Sequence, residues 1–167
     1  HIQAIGRDAA GRLQYRYHPD WEKVRERRKA RRLQRLVEAL PRIRRAVNKH
    51  LATAEPNREF ALAAVIELIA CSAIRPGSES YAKEHGTRGA ATLLKSNVEV
   101  HGTGIALKFR AKGGKRIEKE FQCPRAAMAI NVLRELPGPR LFQYPMPDGQ
   151  TRPVTATEVN TFLREIA

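Results

Sequence analysis

The chain has 167 residues, enough for one domain with a substantial core and part of a second at one end. Apolar residues at 42% and aromatics at 6% describe an ordinary globular protein with no low-complexity tail. Thirty-one Lys+Arg against 17 Asp+Glu give a net charge of +14, which points to a polyanion: DNA or RNA ahead of a membrane, because no apolar run approaches the roughly 20 residues of a spanning helix.

Ile2 to Tyr17 alternates short apolar stretches with Gly6 and Gly11, and predicts the edge of a sheet or an extended arm. Arg7, Arg12 and Arg16 interleave with Tyr15 and Tyr17, a mixture suited to phosphate and stacking contacts or to an arm packed on a neighbouring core. A helix is expected from Asp20, with Asp20 as its N-cap. Trp21 to His50 carries twelve Lys/Arg and three Glu, a net of +9, with a partial apolar stripe at Val24, Leu33, Leu36, Val37 and Leu40. Pro41 is expected to break this helix and open the next, whose core face is Ile43, Val47 and Leu51.

Asn57 can cap a helix from Arg58 to about Ile74, apolar on most sides and therefore central and buried. Pro76 disfavours helical geometry at Arg75, so this arginine stands at the end of a buried helix, paired with a carboxylate or aimed at an anion. Ser78 to His85 predicts a short helix bearing Tyr81 and Lys83. Val98 to Phe121 reads as a three-stranded antiparallel meander, with Ile105, Leu107 and Phe109 on one face. Gly102-Thr103-Gly104 and Gly113-Gly114 supply the turns, and Lys112 sits at the mouth of the second. Pro124 to Leu136 is an amphipathic helix, Leu141 to Thr151 a Pro/Gly-rich loop, and Thr155 with Glu158 a capping box for a last helix.

Cys71 and Cys123 lie far apart without metal-type spacing, and are expected as buried free thiols in a reducing cytoplasm. No P-loop, GxGxxG, paired-His metal motif or GxSxG elbow occurs, so no metal or cofactor is expected.

Several blocks together, in order along nearly the whole chain, resemble the poxvirus-like and bacterial type IB DNA topoisomerases: Gly6-Arg7-Asp8 with Arg12 to Trp21, Leu40 to Arg45, Ile74-Arg75-Pro76-Gly77 with Tyr81 to Glu84, and Phe142-Gln143-Tyr144 with Val154-Thr155 and Glu158-Val159-Asn160. The resemblance implies an α+β, mostly helical catalytic domain of the type IB topoisomerase/tyrosine recombinase fold with a small three-stranded sheet. Residues 1–19 would be the end of an N-terminal sheet domain and a linker arm, and 20–167 the catalytic domain. The implied activity is relaxation of supercoiled DNA by single-strand cleavage through a 3′-phosphotyrosyl link and religation, without ATP or metal.

On this resemblance Arg75 is the first active-site arginine and Lys112 the general acid, while Gln14, Tyr15, Tyr17, Tyr81 and Lys83 contact DNA. Ala111, Asn97, Ser78 and His85 depart from residues common in the family. The second arginine, the histidine and the nucleophilic tyrosine should follow the Val159–Ile166 helix, so the chain is expected to be a fragment that binds double-stranded DNA without cleaving it. Its parent would be a cytoplasmic, nucleoid-associated monomer clamped on DNA. Two other readings remain at this stage: a tyrosine recombinase catalytic domain, and a non-catalytic basic nucleic-acid-binding module.

Overall fold

The computed structural model describes residues 2–167. They form two compact units, one ending at Pro41 and the other comprising Arg42–Ala167. The first opens with an antiparallel hairpin, β1 (Ile2–Arg7) and β2 (Leu13–Tyr17). Asp8 closes its turn: Oδ1 accepts the N–H groups of Ala10 and Arg12 at 3.0 and 2.9 Å. The predicted edge or arm is therefore a hairpin.

Helix α1 (Pro19–Leu51) corrects two expectations. His18 rather than Asp20 holds its start, through its carbonyl to the Trp21 N–H at 2.8 Å and its ring Nδ1 to the Asp20 N–H at 3.2 Å. Pro19 supplies a first residue already set at helical φ. Pro41 does not break the helix. An interior proline removes one rung and costs about 3 kcal/mol, yet Ile43, Val47 and Leu51 are all buried beyond it, which favours keeping the helical turn. Lys23, Arg25 and Lys29 have carboxylates within 4 Å. The other nine of the twelve basic residues between Trp21 and His50 have none among the described residues.

The second unit is organised around α2 (Arg58–Ser72). The Asn57 side chain accepts the Phe60 N–H at 2.8 Å, as the cap predicts, and every residue from Phe60 to Leu68 is buried. Against α2 pack α4 (Pro124–Arg134), α5 (Ala156–Ile166) and the inner side of a three-stranded sheet. That sheet is the expected meander: β3 (Val98–His101), β4 (Gly104–Arg110) and β5 (Arg116–Gln122) in this order. Ile105, Leu107 and Phe109 are buried, and their partners across the ladder are Phe121, Lys119 and Ile117.

Two features differ from expectation. The segment after α4 is not all loop, because β6 (Gln143–Pro145) pairs with β7 (Thr151–Pro153) and Leu141 to Tyr144 are buried. Cys71 and Cys123 are not free thiols. They form a disulfide, with Cα atoms 6.4 Å apart, and Cys71 is exposed while Cys123 is buried. Fifty-two residues separate them, and only the packing of α2 against the β5–α4 junction brings them together. The class is thus α+β, with more helix than strand.

Candidate active site

Arg75 is placed by the way α2 ends. Ala73 takes the left-handed conformation, φ 54°, and its N–H donates to the Ile69 carbonyl at 2.8 Å, which turns the chain out of the helix. The next residues are then fixed by backbone. The Arg75 carbonyl accepts the Ala90 N–H and the Pro76 carbonyl the Ala91 N–H, both at 2.8 Å. Gly77, at φ 93°, and Gly89 touch so closely that a Cβ on Gly89 would lie 2.5 Å from the Gly77 Cα and 2.6 Å from the Arg75 carbonyl oxygen. Two glycines are what this approach requires.

Helix α3 (Glu79–His85) follows, and the acid in its first turn is already committed. Arg140 donates to both Glu79 oxygens, at 2.7 and 3.1 Å, and also to the Ala91 carbonyl at 2.7 Å. These hydrogen bonds hold the Glu79 carboxyl below its ordinary range, against the opposing effect of burial. Past α3, the Arg88 N–H donates to the Arg110 carbonyl at 2.6 Å, tying the loop to the end of β4.

Lys112 stands in the β4–β5 turn. The Ala111 N–H donates to the Lys115 carbonyl at 2.7 Å, and Gly113 and Gly114 take φ of 78° and 75°. Ala111 itself has φ −95°, so a side chain there costs nothing. The Lys112 ammonium lies 5.0 Å from the centroid of the Tyr81 ring.

Arg75, Tyr81 and Lys112 line one cleft of about 490 Å³. Arg88, Lys115 and Lys119 line it too, and among the described residues no Asp or Glu does. Five cations without a counter-charge favour a bound anion over a structural ion pair for Arg75. Sequence reasoning missed the last three cations and the Gly77–Gly89 contact. A signal existed for one of them. Lys119 alternates with Ile117 and Phe121 along β5, an inward position for a lysine, and its Nζ donates to the Ser72 carbonyl of α2's last turn at 2.7 Å.

The other predicted contact residues lie outside this cleft. Lys83 is exposed on α3 and does not line it. Gln14, Tyr15 and Tyr17 belong to the first unit. Alternation along β2 puts both tyrosines on one face and Gln14 on the other, where its amide donates to Asp8 Oδ2 at 3.0 Å. Tyr15 stacks on Tyr17 (6.3 Å between centroids) and Tyr17 on Trp21 (6.0 Å), while the Arg28 guanidinium lies 5.3 Å from the Trp21 ring. Tyr15 keeps 46% of its surface exposed, enough for a stacking contact. Asn97 is a structural residue: it accepts the Leu94 N–H at 3.0 Å and donates to the Lys108 carbonyl at 3.1 Å.

Tyr144 is 4% exposed and donates to Glu158 Oε1 at 3.0 Å. Burial and then the Glu158 carboxylate push its hydroxyl above its ordinary value, the opposite of an activated nucleophile. Burial would also raise Glu158, but hydrogen bonds from Thr155 and Tyr144 outweigh it and leave the carboxyl below the usual range.

Residues 18–167 match the family described as eukaryotic DNA topoisomerase I, catalytic core. The chain belongs to the DNA topoisomerase I family. It is 30% identical over 143 residues to DNA topoisomerase 1B of Acanthamoeba polyphaga mimivirus, covering 86% of this chain and 43% of that protein. With DNA topoisomerase 1B of vaccinia virus it shares 28% identity over 132 residues, 79% of this chain and 41% of the relative. The DNA topoisomerase I of monkeypox virus matches to the same extent. The chain thus spans less than half the length of these curated relatives. They are viral, so they support the poxvirus-like side of the resemblance rather than the bacterial one.

Proposed function

We propose that this topoisomerase-family chain is part of a type IB DNA topoisomerase, which relaxes supercoiled duplex DNA through a transient 3′-phosphotyrosyl link and needs neither metal nor ATP. The observation that carries this reading is the acid-free cleft in which Arg75 and Lys112 meet. A phosphodiester seated there gains cationic donors for its non-bridging oxygens, Arg75 among them on a backbone fixed by the Ala90 and Ala91 N–H groups. As a tyrosine oxygen bonds to phosphorus and the bond to the 5′ oxygen breaks, Lys112 donates a proton to that leaving oxygen. Religation reverses both steps, with the lysine taking the proton back.

The second arginine, the histidine and the nucleophile of the family are not assigned to any residue here. Of the four tyrosines, Tyr144 is buried on a carboxylate, Tyr15 and Tyr17 stack in the hairpin of the first unit, and Tyr81 lies under the Lys112 ammonium. Residues 1–167 alone are therefore expected to bind DNA without cleaving it, and the longer parent to clamp the duplex as a monomer. The nine basic residues between Trp21 and His50 that have no carboxylate within 4 Å among the described residues make that binding steeply salt-dependent.

The test is relaxation of supercoiled plasmid in EDTA without ATP, by the longer parent and by the 167-residue chain. Relaxation by the parent alone is the expected result. If neither relaxes the plasmid while both bind it, the chain is a binding module or a recombinase domain instead.

A further inference from the structure

We propose that Cys71 and Cys123 form a reversible thiol–disulfide site that reacts with small-molecule disulfides through Cys71 and sets how firmly the Arg75 end of α2 is tied to the strand leading from Lys112. The last part of this proposal rests on the functional reading above; the thiol chemistry does not.

Position is the first support. Cys71 lies in the last turn of α2, four residues before Arg75, and Cys123 directly follows β5, whose opposite end continues from the Lys112 turn. The bond therefore joins the two elements that bring the two predicted catalytic side chains to one cleft. Their Cα separation of 6.4 Å lies within the range a disulfide spans without moving the backbone. Polar ties also hold this end of α2, beside the packing of Leu68 and Ile74: Lys119 to the Ser72 carbonyl at 2.7 Å, and Arg125 to Glu67 at 2.9 Å.

Exposure is the second. Cys71 is open to solvent and Cys123 is buried, so a reagent reaches one sulfur and the other resolves the adduct. With glutathione disulfide as oxidant, the Cys71 thiolate attacks one of its sulfurs, forming a mixed disulfide and releasing one glutathione. The Cys123 thiolate then attacks Cys71 Sγ and expels the second. Two protein thiols lose two electrons and two protons, and one glutathione disulfide becomes two glutathiones.

A metal is the competing use of these atoms, since Glu67, Cys71 and Cys123 offer donors within 4.8 Å of one another. Glu67 Oε1, however, already accepts the Nε–H of Arg125 and has its Nη2 at 2.9 Å. Arg125 is held in turn by Asn48 at 2.6 Å. This leaves two sulfurs and a committed oxygen, a donor set better suited to dithiol exchange than to zinc.

The experiment equilibrates the reduced 167-residue chain with glutathione/glutathione-disulfide mixtures and reads alkylatable thiols, intact mass and thermal midpoint. The expected result is a fall from two thiols to none without a retained adduct. It is accompanied by a rise in Tm of roughly 5–15 °C that Cys71→Ser/Cys123→Ser lacks. A stable glutathione adduct on Cys71 with Cys123 still free overturns the proposal. So does an unchanged Tm, or a stoichiometric zinc ion on the reduced protein that blocks oxidation. Plasmid relaxation by the parent, oxidised and reduced, tests the link to the cleft: a rate difference of about threefold or more is expected, and equal rates in a protein whose bond has formed overturn it. A parent inactive in both states fails the topoisomerase reading, while the thiol counts and Tm still decide the exchange site.

Discussion

The ammonium of Lys112 lies 5.0 Å from the centre of the Tyr81 ring, joining the β4–β5 turn to helix α3 across the cleft. An aromatic face orients a cation without neutralising it, whereas a carboxylate at the same place would claim both its charge and its proton. Lys112→Ala in the longer parent is expected to slow strand cleavage by roughly 10²- to 10⁴-fold, with duplex affinity changed about threefold or less. Tyr81→Leu keeps the lysine but not its orientation, and a loss of about fivefold in cleavage is expected. Single-turnover cleavage beside filter binding separates the effects. Equal losses in both assays for Lys112→Ala would make this lysine a phosphate contact only.

Gly89→Ala tests whether the backbone, rather than any side chain, sets the direction of Arg75. The new methyl would lie 2.5 Å from the Gly77 backbone and 2.6 Å from the Arg75 carbonyl oxygen, and neither is the movable end of a side chain. A destabilisation of at least about 2 kcal/mol is expected in urea unfolding. Gly102→Ala is the control: its φ of 60° is left-handed where Gly89 is extended, but no atom lies within 4 Å of an added Cβ, so only the left-handed strain of about 1 kcal/mol applies. Similar costs for the two would dismiss the close approach as the reason for the glycine.

What the sequence disclosed and what it hid divide along a physical line. Features encoded by neighbours were legible. Asn57 before an apolar run announces α2, and the alternation of Ile105, Leu107 and Phe109 between glycine turns announces the sheet. The Thr155–Glu158 reciprocity announces α5, with hydrogen bonds of 2.8, 2.9 and 3.2 Å. Features made by distant segments were not legible. Cys71 meets Cys123 across 52 residues, Gly77 meets Gly89 across a helix and a loop, and Lys119 reveals its inward role only once β5 is seen against α2. The β6–β7 pair was hidden for another reason, because its strands of three residues each include a proline and carry too few residues for a period to show. Arg75 and Lys112 were singled out through resemblance, and composition alone would not have separated them from the other 29 cations.

Acid should weaken the second unit through Glu79. Its carboxyl is held below the ordinary value by Arg140, so the stabilisation is fully present above the unfolded-state value near 4.3. It is lost as the pH falls through the lowered folded value, where the native state must take up a proton that the unfolded chain already holds. Urea midpoints measured from pH 7 down to pH 3 should therefore decline below about pH 4.5. Glu79→Gln should start lower at pH 7 and decline less. A parallel decline for both proteins would assign the acid sensitivity to other carboxylates, Glu158 first among them.

Tyr144→Phe distinguishes a structural tyrosine from a nucleophile by a single oxygen. The hydroxyl donates to Glu158, which also accepts from the N–H and hydroxyl of Thr155 and has Arg58 at 3.6 Å. Its removal leaves Glu158 with these partners and opens no cavity, so the expected cost is about 1–2 kcal/mol in stability. Because burial and that carboxylate oppose ionisation of the hydroxyl, strand cleavage by the longer parent should be kept within about twofold. Loss of the covalent DNA adduct in a folded Tyr144→Phe variant would instead make Tyr144 the attacking group. It would also require β6 to open and present a residue that the structure buries behind Glu158.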